Sequence, residues 1–153
     1  MCCAALRFRV NSDPVSFVDR ICGPITERAD ETVGDFVLKR RDGVYAYQLA
    51  VVVDDLAMGI TEVVRGRDLL DSTARQIQLI QALSGDVPNY AHLPLVVNAE
   101  GEKLSKRDDA ARIRTLRDRG VALEEVVGWL GVSLGLFDRP KPYQTEELVP
   151  LFR

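Results

Sequence analysis

Residues 47–83, YQLAVVVDDLAMGITEVVRGRDLLDSTARQIQLIQAL, decide how the chain is read. Val51-Val52-Val53 alone has the look of a strand. Leu49, Val52, Val53 and Leu56, however, recur at i, i+3, i+4 and i+7, and Gly59 stands where a helix C-cap belongs, so residues 47–58 are predicted to be helical. Ile60, Val63 and Val64 then read as a short buried strand ending at Arg65-Gly66. Residues 73–83 give the clearest helix: Ile77, Ile80 and Leu83 share a face, Thr73 and Gln76 have capping-box spacing, and Gly85 ends the pattern. Leu95-Val96-Val97 is predicted as another buried strand, with Ala99-Glu100-Gly101 as its turn. Helix, strand, helix, strand from 47 to 97 is part of a parallel α/β layer, half of a nucleotide-binding architecture.

Upstream of this layer the chain is predominantly β. Leu6 to Val10 alternate apolar and basic, and Val15 and Phe17 alternate likewise until Gly23-Pro24 breaks the run. Phe36-Val37-Leu38 starts another strand, Arg41-Asp42-Gly43 supplies a turn, and Val44 to Ala46 is predicted to return as its hairpin partner. Downstream, two helices are broken by Gly120, the second carrying Leu123, Val126, Val127 and Leu130 on one face. Pro140 and Pro142 open a tail predicted to be largely irregular. The expected organisation is a β-rich segment 1–46, an α/β segment 47–107, a helical region 108–137 and a tail 138–153.

Composition narrows the function. The 153 residues suffice for one self-supporting core. Twenty Lys+Arg against 23 Asp+Glu give a net charge of −3, which excludes a globally basic nucleic-acid coat but not a local patch. No apolar run approaches the roughly 18–20 residues that cross a bilayer. Arg7 and Arg9 interrupt the stretch a signal peptide would need, so a cytoplasmic protein without a membrane partner is expected. Cys2, Cys3 and Cys22 have no framework spacing and read as free thiols. His92 is the only histidine, so no His-x-x-x-His metal helix can be written, and no complete zinc site is expected.

Lys103-Leu104-Ser105-Lys106-Arg107 is the sharpest local signal. Two lysines spaced by three, with a small hydroxyl between them, follow a strand and a glycine turn; ammonium groups on such a loop can close over a polyphosphate. A solvated basic loop is the plainer alternative. Residues 101–120 hold seven basic side chains (Lys103, Lys106, Arg107, Arg112, Arg114, Arg117, Arg119) against four acids. That is either a positive face or an ordinary helix surface.

The 47–83 run, followed by YAHLPLVVNAEGEKLSKR at 90–107, resembles the glutamyl-tRNA synthetase group of class I aminoacyl-tRNA synthetases, and most closely its short branch, the glutamyl-Q tRNA(Asp) synthetases. Similarity runs from about Leu6 to about Leu136. Lys103 to Arg107 match the class's second signature, usually Lys-Met-Ser-Lys-Ser, departing at Leu104 and Arg107. The resemblance implies the C-terminal half of a Rossmann-like catalytic fold, preceded by a remnant of the connecting insertion (1–46). It further implies that Tyr47 and Arg65 hold glutamate, that Lys103, Ser105 and Lys106 bind ATP, accompanied by Mg2+, with Lys106 catalytic, and that His92, Asp54 and Asp55 stand behind the contacts. The guanidinium fork of Arg65 suits a carboxylate; without the resemblance, Tyr47 reads equally as a core aromatic, His92 as a structural histidine and Asp54-Asp55 as a solvated helix-end pair.

The class's first signature, His-Ile-Gly-His, is absent, as His92 is the sole histidine. The opening Arg-Phe-Ala-Pro-Ser strand is absent too, and Cys2 and Cys3 are at most a remnant of the family's zinc ligands. The expectation is an incomplete chain with a missing N-terminal half. Its implied function is activation of glutamate with ATP and transfer to the queuosine of tRNA(Asp). The alternatives are a fragment of an ordinary glutamyl-tRNA synthetase, which charges the tRNA 3′ end, and a non-catalytic nucleotide- or RNA-binding remnant.

Overall fold

The computed structural model describes residues 4–97, 101, 103 and 112–152. They form two compact units, one up to Leu93 and one from Pro94 onward, in a mixed α/β arrangement.

The first unit holds β1 (Leu6–Phe8), β2 (Val15–Asp19), β3 (Gly23–Glu27), the single-turn α1 (Ala29–Thr32), β4 (Phe36–Lys39), α2 (Tyr47–Met58), β5 (Glu62–Gly66), a 3-10 segment Arg67–Ser72, α3 (Thr73–Ala82) and β6 (Asn89–Leu93). A four-stranded sheet has the order β3-β2-β6-β5, and β1 pairs with β4 in a separate antiparallel ribbon. β5 and β6 run parallel from Glu62↔Asn89 to Gly66↔Leu93, with α3 as the crossover. This is the α/β layer predicted from 47 to 97. The β-rich start is not an appendage to it: β2 lies parallel to β6 at Asp19↔Tyr90 and brings β3 with it as a hairpin.

α2 has the bounds the periodicity predicts, and Gly59 takes the left-handed conformation (φ 65°) that ends it, its N–H bonded back into the last turn. α3 is buried on almost every side. Ala74 and Ile77 pack with Val15, Ala29 and Tyr90 on the sheet, whereas Leu79 and Ile80 pack with Phe36 and Val52. One helix thus holds the sheet, the ribbon and α2 together.

Several expectations need correcting. The strand expected at 95–97 lies at 89–93 instead; Val96 and Val97 are exposed, with Val97 held by an isolated bridge to Lys103. Asn89–Leu93 has neighbours on both sides, so it is the polar-looking Tyr90 and His92 that are buried. β5 is an edge strand, which leaves Val64 exposed rather than buried. The 44–46 hairpin partner does return along β4, on the edge opposite β1, but is cut short at the single bridge Lys39↔Tyr45 with the Arg40 N–H to Val44 and Ala46 N–H to Leu38 hydrogen bonds, because α2 begins at Tyr47. On α2, Val53 faces out and Val51 packs inward. Thr73 and Gln76 form no capping box, both being turned to another partner.

The second unit carries α4 (Ile113–Asp118), α5 (Leu123–Ser133), α6 (Thr145–Leu148) and a closing 3-10 turn, Val149–Phe152. The two helices broken by Gly120 are those predicted. The tail is more ordered than expected. Tyr143 donates its N–H to the Glu124 carbonyl at 3.0 Å, and its ring stacks on Phe137 at 3.7 Å. The glycines of α5 make this docking possible: a Cβ on Gly128 would stand 2.0 Å from the Lys141 carbonyl oxygen, and one on Gly131 would stand 2.3 Å from the Phe137 ring. Gly128→Ala is therefore expected to destabilise the unit by about 1–3 kcal/mol, since a backbone must move, and to speed chymotryptic cleavage after Phe137 and Tyr143. Gly131→Ala should cost less, because a ring can swing aside. Thermal melting with timed proteolysis checks both.

Candidate functional site

Three polar side chains meet at the carboxyl end of the parallel strands, where open α/β sheets place ligands. Asp19 ends β2, while Arg65 and His92 are partners in the β5–β6 register. The turn after β2 is built around Asp19: its Oδ1 accepts from the N–H groups of Ile21 (3.0 Å), Cys22 (2.8 Å) and His92 (3.2 Å). Its Oδ2 lies 2.6 Å from His92 Nδ1, and both residues are fully buried. Arg65 Nε donates to His92 Nε2 at 2.9 Å. A guanidinium can only donate, so Nε2 is the bare nitrogen and Nδ1 carries the proton toward Asp19.

The remainder of Arg65 is held equally firmly. Nη1 donates to Gln76 Oε1 at 2.7 Å and Nη2 to Thr73 Oγ1 at 2.9 Å. Gln76 in turn donates to Gln48 Oε1 at 2.7 Å, and Gln48 to Ser72 at 3.2 Å. The guanidinium carbon lies 5.5 Å from the centre of the Tyr90 ring, a cation–π distance. Every hydrogen-bond partner of Arg65 is neutral, and among the described residues no carboxylate forms an ion pair with it. Burial pulls its pKa below the usual arginine value, against the opposing fields of Tyr90, Tyr47, Asp55 and Asp19. Burial likewise pushes the Tyr90 phenol up to about 12. A half-buried, rigid cation with neutral partners has two of its five N–H groups to offer. Its chemical complement is an anion, and a carboxylate or phosphate suits its planar fork.

Burial tends to raise the Asp19 pKa, but the hydrogen bonds from Cys22, His92 and Ile21 outweigh it and hold the carboxyl well below the usual range. The folded pKa being below the unfolded one, ionised Asp19 adds stability above the unfolded value, and that stability is lost as pH falls through the folded one. The gap in urea midpoint between the parent and Asp19→Asn should therefore hold steady down to about pH 4 and narrow as the pH falls from there toward about 2; a gap independent of pH across that interval would contradict this.

Of the other residues singled out from the sequence, Tyr47 opens α2, is exposed, and is close enough for its phenol to bear on Arg65. Asp54 is exposed on the outer face of α2, beside Tyr45, Leu49 and Val53. Asp55 is half-buried, its pKa raised first by burial, with Arg65 opposing. Lys103 is exposed, in its bridge to Val97. Ser105 and Lys106 lie outside the described residues, as do Cys2 and Cys3. Asp19, Thr73, Gln76 and Gln48 escaped the sequence reading. The one local trace is Thr73 and Gln76, polar residues one helical turn apart at the start of a helix whose inward side also carries Ala74, Ile77, Leu79 and Ile80.

Among known proteins, residues 2–135 match the family model described as tRNA synthetases class I (E and Q), catalytic domain. The chain is 48% identical over 148 residues to a glutamyl-Q tRNA(Asp) synthetase of Symbiobacterium thermophilum, covering 97% of this chain and 46% of that protein. It is 50% identical over 133 residues to the protein of the same name in Geobacter sulfurreducens, covering 84% and 42%. The chain spans about half the length of the curated relatives it matches. A glutamate-tRNA synthetase of Elizabethkingia anophelis, solved as a crystal structure, superposes with a TM-score of 0.61 at 38% identity, over 68% of this chain and 21% of that one. A glutamate tRNA ligase of Elizabethkingia meningosepticum, solved in complex with its amino acid, gives a TM-score of 0.62 at 38% identity.

Proposed function

Because this chain belongs to the catalytic-domain family of class I tRNA synthetases (E and Q), we propose that it is the glutamate-holding part of a glutamyl-Q tRNA(Asp) synthetase. In this reading ATP activates glutamate and the glutamyl group passes to the queuosine of tRNA(Asp) in the cytoplasm. The observation that carries it is Arg65, a half-buried guanidinium at the carboxyl end of the sheet whose hydrogen-bond partners are all neutral. It would pair with the side-chain carboxylate of glutamate, with the Tyr47 hydroxyl beside it. Pinning that carboxylate leaves the α-carboxylate as the nucleophile, which attacks the α-phosphorus of MgATP and expels pyrophosphate. Lys103, Ser105 and Lys106 would meet the phosphates. In this reading residues 47–107 are the catalytic segment, to which the β-rich segment 1–46 lends Asp19.

The test is glutamate-dependent ATP–pyrophosphate exchange. The 153-residue chain alone is expected to show none. Joined to the part of the Symbiobacterium thermophilum relative that it does not cover, it should exchange, and should then glutamylate tRNA(Asp) only when queuosine is present. The similarity to solved glutamate-tRNA synthetases favours one rival, transfer to the 3′ end of tRNA(Glu), which the glutamylation assay separates by removing the 3′-terminal adenosine of the tRNA: that abolishes 3′-end charging and spares transfer to queuosine. No exchange by the chimera, with its fold intact, would overturn the reading.

A further inference from the structure

Arg65 can donate to His92 only while Nε2 is bare, and a neutral imidazole is free to place its proton on either nitrogen. The group that fixes the proton on the far nitrogen lies on β2. Asp19 Oδ1 is saturated by three backbone N–H groups, from Ile21, Cys22 and His92, while Oδ2 faces His92 Nδ1 at 2.6 Å. The two oxygens are therefore not equivalent. A carboxylate accepts at both, so Nδ1 must hold the proton and Nε2 must face Arg65 as an acceptor.

We propose that Asp19 is a positioning residue for the glutamate site: it sets the tautomer of His92, and the tautomer holds the Arg65 guanidinium in the orientation that receives a carboxylate. This rests on Arg65 being the carboxylate anchor, but the relay itself is testable without substrate. An asparagine at 19 is nearly isosteric with the aspartate, yet it reverses the relay. Its oxygen must occupy the Oδ1 position, because three N–H donors converge there. Its amide nitrogen then takes the Oδ2 position and donates to His92 Nδ1. The imidazole proton moves to Nε2, where it opposes the N–H of Arg65 donor to donor. Replacing an aspartate behind a catalytic histidine by asparagine is known to impose the wrong tautomer in serine proteases; here the group displaced is the arginine.

With one histidine in the chain, the experiment has no assignment problem. The full 153-residue chain, carrying 15N-labelled histidine and arginine, is examined by two-bond 1H–15N correlation. The parent is expected to show protonated Nδ1 and bare Nε2, by roughly tenfold or more over the other form, with the Arg65 Nε–H coupled across the hydrogen bond to Nε2. Asp19→Asn should show the reverse tautomer and lose that coupling. Arg65→Met, which leaves the Asp19–His92 pair intact, should keep the parent tautomer. A parent with the proton on Nε2, an Asp19→Asn protein that keeps the parent tautomer, or an Arg65→Met protein that inverts it would each overturn the proposal. Should Asp19→Asn not fold, the parent and Arg65→Met spectra still decide. A chimera without glutamate-dependent exchange would overturn the activity reading alone, since the tautomer does not depend on what Arg65 binds.

Discussion

Arg65→Ala, made in the chimera that joins this chain to the uncovered part of its Symbiobacterium thermophilum relative, is expected to raise the KM for glutamate while leaving the KM for ATP near its parent value. Losing one partner of a buried charge pair costs about 2–5 kcal/mol, a factor of roughly 30 to 5,000. The site argues for the upper part of this range, because the guanidinium reaches its ligand already held by His92, Gln76 and Thr73. A side chain that is already immobile loses little entropy on binding. Tyr47→Phe removes only a hydroxyl, from an exposed residue, and should cost about 0.5–1.5 kcal/mol. Steady-state exchange with each substrate varied in turn gives both numbers. Equal losses toward glutamate and ATP in Arg65→Ala would make the residue a structural strut.

Lys106→Ala is expected to act on kcat instead. Negative charge builds on the phosphate oxygens as pyrophosphate leaves the α-phosphorus, and under the proposed function Lys106 would meet that developing charge, so its contribution would fall on the transition state. Losing one such group costs roughly 3–4 kcal/mol, or about 10²–10³ in rate. Under the same reading Lys103→Ala should do less, and Arg107→Ser should be close to neutral. Single-turnover adenylate formation at saturating ATP decides: a parent rate for Lys106→Ala would reduce its role to ground-state binding.

Legibility followed the range of the interaction. α2 could be read from residues 47–59 because its period and its glycine cap are local. The last strand could not, because Leu95-Val96-Val97 has the stronger β composition while Asn89–Leu93 has the neighbours. Composition near a strand end says little about which residues the sheet will pair, and burial in a central strand overrides apparent polarity. At the site, Arg65 stood out for its chemistry and its place in a resemblance. Asp19 did not, since the histidine it governs lies 73 residues away and nothing in Asp-Arg-Ile-Cys-Gly announces a partner at that separation. The spacing of Thr73 and Gln76 fits a helix cap, but Arg65 offers donors to both side chains, and a half-buried guanidinium left without acceptors would be the costlier outcome.

The run of hydrogen bonds from Asp19 through His92, Arg65, Gln76 and Gln48 to Ser72 crosses three strands, two helices and a 3-10 segment. Each member both satisfies a neighbour and depends on one, so a lone replacement anywhere along it orphans a polar group inside the protein. Drift at these six positions should then be concerted. Lineages would be expected to keep the whole set or to exchange members in pairs, such as Gln48 with Gln76, while the solvent-facing side of α2 diverges one residue at a time. The polar run makes this corner of the fold inherit as a block.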